Sequence, residues 1–482
     1  MSHEIELKLE LDPKDARTLA DQGLLRESKS RSERLVSVYY DTPGGKLRKN
    51  GYSLRVRSTP DGYIQTVKSL ENGAGLFFRQ EWEAAVDSIE PHVEELARTP
   101  AGEVGAKRLR PVVSSAVDRT RWDVHDHHSE LEVSLDDGEL RADERDQPVC
   151  ELEIELKKGE PAAAFHAARK IAHHIPLRLG VLSKAERAFA LADGLFGKPA
   201  KAEPVPVRSD MSVAEGFATI LQSCIRHFRL NEPLVAKGRD PDALHQMRVA
   251  MRRLRSALSL FRPAVADEEY PRLREQLRWF VGQLGEARNL DVYLQQDMPK
   301  QERKHLLKLR NEAYDRVVEA LDSRRFLLLM IDLTEWASLG KWRLGDKANR
   351  PLPPFAEKRI SRLWLKVCGH DNMSAMQDEE RHRLRIEIKK LRYALDFMQP
   401  LHVQHGRRQK QFSKLIEGLQ QSLGRLNDLV TARSIAGADV SQEVDARYAD
   451  ERARCLREAG KRLNRLKLTG PYWTQSPRVA AC

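Results

Sequence analysis

Glu4-Ile5-Glu6-Leu7-Lys8-Leu9-Glu10-Leu11 alternates charged and aliphatic side chains at a period of two. As a β-strand it sets Glu4, Glu6 and Lys8 on one face and Ile5, Leu7 and Leu9 on the other. The pattern returns in Leu54-Arg55-Val56-Arg57, Gln65-Thr66-Val67-Lys68, Glu81-Trp82-Glu83, Arg119-Thr120-Arg121-Trp122, Glu130-Leu131-Glu132-Val133 and Glu151-Leu152-Glu153-Ile154-Glu155-Leu156-Lys157. A solvated sheet face scatters Ser, Thr, Asn and Gln among its charges, whereas here nearly every polar position is ionisable. Rows of Arg and Lys opposite rows of Glu suit a face that lines a cavity, with a polyanion on the cations and divalent metal on the carboxylates. If such a sheet closes, its apolar face points outward and needs helices such as 161–174 to cover it. By parity Trp82 and Trp122 belong to that outer face.

Turn signals at Pro60-Asp61-Gly62 and Asp136-Asp137-Gly138 punctuate the strands, and Asp61-Gly62 predicts a hairpin that brings Arg55, Arg57 and Lys68 onto one face. Helical periodicity takes over at 161–174 and 183–195, where Ser183 and Glu186 form a capping-box pattern. Three prolines in Gly197-Lys-Pro-Ala-Lys-Ala-Glu-Pro-Val-Pro-Val then predict an extended linker. From Ser212 onward Leu, Ala, Arg, Glu and Gln at three-to-four spacing predict helix throughout. The expected organisation is a strand-rich domain at 1–196, a linker at 197–210 and a helical domain at 211–470, the two domains being separable.

Charge divides unevenly between these parts. Residues 1–200 carry 30 Lys and Arg against 35 Asp and Glu, while residues 201–482 carry 52 against 36, a net +16. Such an asymmetry marks an anion-binding module. The chain has no run of about 18 uncharged apolar residues and no signal-peptide pattern, so no membrane association is expected. Cys150, Cys224, Cys368, Cys455 and Cys482 are scattered and form no C-x-x-C pair, which indicates neither a disulfide framework nor a zinc site and fits a reducing cytoplasm.

The helical half repeats itself. His245-Gln-Met-Arg248-Val-Ala-Met-Arg252-Arg253-Leu254-Arg255 returns 137 positions later as His382-Arg-Leu-Arg385-Ile-Glu-Ile-Lys389-Lys390-Leu391-Arg392, and Leu284-Gly285 returns as Leu423-Gly424. Two pseudo-symmetric helical bundles, about 212–335 and 350–470, explain both. His245, Arg248, Arg252 and Arg255 fall within roughly 80° of one another around a helix, and His382, Arg385, Lys389 and Arg392 reproduce the same steps. Like charges stacked in this way repel, a cost that an extended anion reverses. Neither histidine has a second ligand four residues away, which argues against a metal pair there.

Taken in order, Glu4-x-Glu6-x-Lys8, Tyr39-Tyr40-Asp41-Thr42, Arg55-x-Arg57, Lys68, Glu81-x-Glu83, Arg119-x-Arg121, Glu153-x-Glu155 and Ser183-Lys184 resemble the CYTH or triphosphate tunnel metalloenzyme family over residues 1 to about 195. The helical half, with its two histidine-headed basic helices, resembles the CHAD domain, a helical module that associates with polyphosphate. CYTH followed by CHAD is an arrangement seen in bacterial inorganic triphosphatases. The resemblance implies an α+β chain: an eight-stranded antiparallel β tunnel barrel with flanking helices, then the all-α domain. It implies a phosphate clamp of Lys8, Arg55, Arg57, Lys68, Arg119, Arg121 and Lys184, and metal-binding carboxylates Glu4, Glu6, Glu132, Glu153 and Glu155 for Mg²⁺ or Mn²⁺. Glu4, Glu6, Lys8 and Arg119 are implied to act on the reacting groups. Strand register leaves open which of Glu130 and Glu132 faces inward, and Arg119 stands where relatives often carry lysine.

The implied reaction is hydrolysis of inorganic tripolyphosphate to pyrophosphate and phosphate, with long-chain polyphosphate as the partner of the helical half. The alternatives are a non-catalytic polyphosphate- or nucleic-acid-binding protein, an adenylyl cyclase and a thiamine triphosphatase. Filled cation and carboxylate positions favour the enzyme. The absence of base-reading polar residues among the helical Arg and Lys disfavours nucleic acid, and no aromatic clamp for adenine or thiamine is evident.

Overall fold

In the computed structural model, residues 2–21, 23–70, 76–104, 108–126, 128–295, 298–436 and 442–474 are described. The alternating segments form one curled antiparallel sheet: β1 (Ser2–Glu10), β2 (Ser30–Asp41), β3 (Tyr52–Thr59), β4 (Gly62–Ser69), β5 (Leu76–Val86), β6 (Arg110–Asp126), β7 (Ser129–Ala142), β8 (Arg145–Lys158) and β9 (Arg178–Leu179). Their order is β5-β4-β3-β2-β6-β7-β8-β1-β9, and β1 also pairs with β5 from Ser2↔Glu81 to Leu7↔Leu76. The expected count was eight. The ninth strand is the two-residue β9, which extends the ladder on β1 through Leu9↔Leu179 and Glu10↔Arg178.

Parity decides which face is which. Leu7, Leu9, Leu54, Val56, Val67, Trp122, Val133, Leu152 and Ile154 are buried on the outer face. There Leu54, Val56 and Val67 pack with Tyr40, Leu47, Leu96 and partly buried Trp82. Helix Ala162–Ile171 lies on β8 with Phe165 buried. Ser183 caps helix Lys184–Ala192 in a complete capping box with Glu186, as the spacing predicted.

Two turn readings need correction. Thr59 pairs with Gly62, so the β3–β4 loop is Pro60-Asp61, with Gly62 already the first residue of β4. Asp136-Asp137-Gly138 is not a turn but lies inside β7. Glycine is required at 138 because a Cβ there would stand 2.1 Å from the Ala116 carbonyl oxygen on β6. A residue type that usually breaks strands is here what lets two strands approach.

Long helices follow: Val213–Gly238, Pro241–Val265, Tyr270–Tyr293, Lys300–Asp322 and Arg324–Leu339, then Leu352–Cys368, Asp378–Phe397, Gly406–Ala436 and Gln442–Thr469. Residues 1–203, 221–252 and 267–341 form one compact unit; 204–220, 253–266 and 342–482 form another. Helices Val213–Gly238 and Pro241–Val265 thus contribute to both. The proline-rich segment has no regular structure, yet Val205 and Val207 are buried. Cys150, Cys224 and Cys455 are free thiols. Among the described residues no helix is long and apolar enough to cross a membrane.

Replacing Gly138 by Val should destabilise the fold by about 1–3 kcal/mol, the usual cost of overpacking. Gly44→Ala, whose added methyl meets nothing within 4 Å, should change stability by less than about 0.5 kcal/mol. Urea denaturation of the two variants checks the pair.

Candidate functional site

The inner face of the sheet encloses a cavity of about 430 Å³. Lys8, Arg55, Arg57, Lys68, Arg119, Arg121 and Lys184 all line it, as do Glu6, Glu132, Glu153 and Glu155. The side chain of Glu4 lies outside the described residues. Glu130 is half exposed and faces Lys158, 3.6 Å away, while Glu132 takes the inward position.

The floor of the cavity is a buried charge cluster. Lys8 Nζ lies 2.5 Å from Glu153 and 3.0 Å from Glu151. Lys184 Nζ contacts Asp136 at 2.5 Å, Glu153 at 2.8 Å and also Glu151. Arg119 donates to Asp136 through Nε and Nη2, and to Glu153 through Nη2, each at 2.6 Å. Three cations thus meet three carboxylates. Burial alone would drive the carboxyl groups up and the cations down; Lys184 and Lys8 overcome it and hold Glu151 and Glu153 below the usual carboxylate range, with Arg187 adding to them at Glu151 and Arg119 at Glu153. Burial likewise opposes the Asp136 carboxylate, but Lys184 and Arg119 pull it down to about 2. Reciprocally, burial disfavours the Lys184 and Arg119 charges, yet the carboxylates keep both above their ordinary values.

The opposite wall is different. Arg57 donates to Ser37 Oγ at 3.3 Å and Arg55 to Thr66 Oγ1 at 3.2 Å. Burial first, then repulsion from Arg55 and Arg119, pulls the Arg57 guanidinium down to about 9. Arg121 pairs with Glu33 at 2.6 Å and Lys68 with Glu81 at 3.1 Å. The Nε atoms of Arg55 and Arg121 are buried without a hydrogen-bond partner among the described residues. This wall sets Arg55, Arg57, Lys68 and Arg121 against Glu33, Glu81 and Glu83 and keeps two donors over, a state a bound anion would satisfy.

Asp136, Glu151 and Glu153 place oxygens within 4.8 Å of one another and so could hold a metal by spacing, but three cations already supply their counter-charge. A second acidic group follows from register: Glu6 pairs across β1 and β8 with Glu155, and Glu155 across β8 and β7 with Glu132. Their inward neighbour Lys157 is 2.7 Å from Glu155 and 3.8 Å from Glu132. Like charges directly opposite each other destabilise a sheet, and a divalent cation held by these hard oxygens removes that cost.

Asp136 and Glu151 were not assigned a role from sequence. Their inward parity with Glu132 and with Glu153 was the available signal. Glu33, Glu83 and Lys157 also line the cavity and were likewise unassigned.

On the helical side, Arg248 donates to the Leu284 carbonyl at 2.9 Å, so the first histidine helix lies against the first Leu-Gly element. Burial, then Arg288 and Arg252, depresses the His245 imidazole; burial, then Arg252 and Arg288, depresses Arg248. Arg255 is exposed. In the second copy His382 and Arg385 line a cavity of about 450 Å³ with Leu423 and Leu426. Lys389 and Arg392 lie partly exposed further along the same helix, with Arg392 4.0 Å from Asp396.

Residues 2–189 match the CYTH domain and residues 219–437 match the CHAD domain. The chain is a CYTH domain followed by a CHAD domain. An inorganic triphosphatase of Haemophilus influenzae is 30% identical over 203 residues, which are 41% of this chain and 57% of that protein. The chain therefore spans little more than half the length of that curated relative. Among solved structures, the CHAD domain of the plant Ricinus communis is similar at 30% identity and a TM-score of 0.45, covering 57% of this chain and 96% of its own. A putative adenylyl cyclase from Hippeastrum, said to have a dominant triphosphatase activity, is 19% identical with a TM-score of 0.31, covering 41% and 98%.

Lys184→Met leaves three buried carboxylates facing two cations and should cost about 3–5 kcal/mol at pH 7. Carboxylates with depressed values contribute stability above their unfolded range, near pH 4, and lose it as pH falls toward the value of about 2 held by Asp136. The variant's deficit should therefore shrink between pH 7 and pH 4, as its carboxylates take up protons more readily than those of the parent. Urea denaturation at the two pH values reads the difference.

Proposed function

We propose that the CYTH domain, with boundaries 1–196 before a linker at 197–210, is a metal-dependent inorganic triphosphatase whose curled sheet works as a tunnel. One observation carries the reading: one cavity joins a wall of anion-seeking arginines to a row of carboxylates. Arg55, Arg57 and Arg121 take the non-bridging oxygens of tripolyphosphate, and Arg55 and Arg121 each keep a buried donor that the protein itself leaves unsatisfied. Lys68 extends the clamp. Lys8, Arg119 and Lys184 present the remaining positive charge from fixed positions, so no reorganisation accompanies the reaction.

Glu6, Glu132 and Glu155 would hold Mg²⁺ or Mn²⁺; Glu4, which the resemblance also implies, belongs to β1, with its side chain outside the described residues. When bound, such an ion neutralises phosphoryl charge and lowers the pKa of an attacking water. Glu153, implied as a fifth ligand by the resemblance, is already held by Lys8, Lys184 and Arg119, so its role here is to orient those cations. Water attacks a terminal phosphorus and a P–O–P bond breaks. Pyrophosphate departs against the cations, and the water's proton passes to a carboxylate of the row.

Glu6→Gln and Glu155→Gln should each lower kcat for tripolyphosphate by at least about 10²-fold, the scale of a single electrostatic group in an active site. Excess Mg²⁺ should restore little of the loss. Phosphate release under saturating metal measures this, and near-normal turnover of either variant would remove the acidic row from the mechanism.

The CHAD domain, with boundaries 211–470, binds long-chain polyphosphate through His245, Arg248, Arg252 and Arg255 and through His382, Arg385, Lys389 and Arg392. A net +16 over residues 201–482 and the mutual repulsion at His245 and Arg248 support the reading. Affinity should fall steeply with salt. Arg252→Glu with Lys389→Glu should flatten that slope by roughly one unit per lost contact, by analogy with nucleic acids. Titrations with polyphosphate and duplex DNA at matched phosphate concentration should show the tighter complex with polyphosphate.

A further inference from the structure

The segment that carries Lys184 into the cavity is not held by the sheet alone. Its beginning, Leu179 in β9, pairs with Leu9 of β1, and the Gly180 amide donates to the Lys8 carbonyl at 2.8 Å. Glycine is needed at 180, since a Cβ would stand 2.7 Å from Lys8 Cγ. The segment's outer side is gripped by two arginines of helix Val213–Gly238, within the same compact unit. Arg229 donates through Nε to the Leu179 carbonyl at 2.7 Å and reaches Glu10 at 3.3 Å. Arg226 donates to the Val181 carbonyl at 2.6 Å and pairs with Glu186 at 2.9 Å. The Arg229 side chain is only 3% exposed and that of Arg226 14%.

Glu186 is the capping-box partner of Ser183, the residue before Lys184. Glu10 ends the strand that carries Lys8 and also pairs with Arg187. Each arginine therefore ties down a backbone carbonyl and a carboxylate that flank a cavity lysine. The linker is clamped by the same helix: Asn231 accepts from the Ala200 amide and donates to the Ala200 carbonyl, both at 3.0 Å, and that carbonyl also lies 3.1 Å from His227 Nε2. The ordinary role of such contacts is to glue two domains together. Two features go beyond glue: the grip falls on main-chain carbonyls of the one segment that delivers Lys184, and its buried charges would be costly to leave unpaired.

We infer that Arg226 and Arg229 are positioning residues for the phosphate cavity, acting from the CHAD half through the 178–186 segment to set Lys184 on the carboxylates below it. The inference rests on the triphosphatase reading for its substrate. A misplacement of about 1 Å in such a group costs up to about 10²-fold in rate, so the helical half is a working part of the tunnel's chemistry as well as a binding module. A fragment ending near residue 200 keeps every cavity residue but loses this grip.

The test is a double-mutant cycle in the full chain. Arg226→Gln with Arg229→Gln should lower kcat/KM for tripolyphosphate by about tenfold or more while the chain stays folded by circular dichroism. Lys184→Met should lower it further, and adding the two arginine changes to Lys184→Met should have little additional effect, because the arginines act through that lysine. Arg169→Gln removes the pairs to Asp332 and Glu335, elsewhere in the same unit, and should leave kcat/KM within about twofold. Multiplicative losses in the combined variant, normal activity of the arginine variant, or an equal loss in Arg169→Gln would overturn the inference. If the double change prevents folding, Arg226→Gln alone takes its place in the same cycle. The cycle is also read as Kd for tripolyphosphate by calorimetry without divalent metal. A wild-type chain that binds tripolyphosphate in this way yet cleaves none of it with Mg²⁺ or Mn²⁺ added would sink the hydrolase reading and leave this test standing.

Discussion

Asp136, Glu151 and Glu153 lie side by side beneath the cavity, and nothing else about the inner face works unless they are neutralised. Isolated, each buried carboxylate would cost several kcal/mol or take up a proton. Lys8, Lys184 and Arg119 come from β1, from the helix after β9 and from β6, so neutralisation requires those elements to meet. The cluster thereby couples register, helix docking and closure. A slip of one residue in β1 would turn Lys8 outward and set Leu7 or Leu9 among charges.

From this floor the rest of the face follows. Arg55, Arg57 and Arg121 stand on the far wall, where burial and repulsion from Arg55 and Arg119 outweigh the opposing pull of Asp136 on the Arg57 guanidinium. The carboxylates above the floor, Glu6, Glu155 and Glu132, form a row by register. The inner face thus has three levels of charge, a floor satisfied internally and two of opposite sign that, on the proposed function, a metal-bound polyanion would bridge. This arrangement sacrifices stability in the empty state for binding, as is common at functional sites.

Much of this was legible in the alternating segments. Period-two patterning set the inner and outer faces, and the capping box at Ser183 and Glu186 marked the helix that brings in Lys184. The misreading of Asp136-Asp137-Gly138 had a definite cause: Asp-Asp-Gly favours a turn locally, and only the approach of Ala116 on β6 explains a glycine in mid-strand. β9 was illegible because two residues carry no period. Arg226 and Arg229 were hidden because their partners are backbone carbonyls and carboxylates distant in sequence, and helical spacing does not distinguish a buried interface arginine from a solvated one.

On the proposed function the two acidic groups divide their work: the floor holds cations of the protein and the row would hold metal. Anomalous scattering from Mn²⁺ in crystals grown with an imido analogue of tripolyphosphate distinguishes them directly. The predicted result is manganese against Glu6, Glu155 and Glu132, with the analogue's oxygens on Arg55, Arg57 and Arg121 and the six-membered charge cluster unchanged. Manganese bound by Asp136, Glu151 and Glu153, with Lys184 displaced, would contradict it.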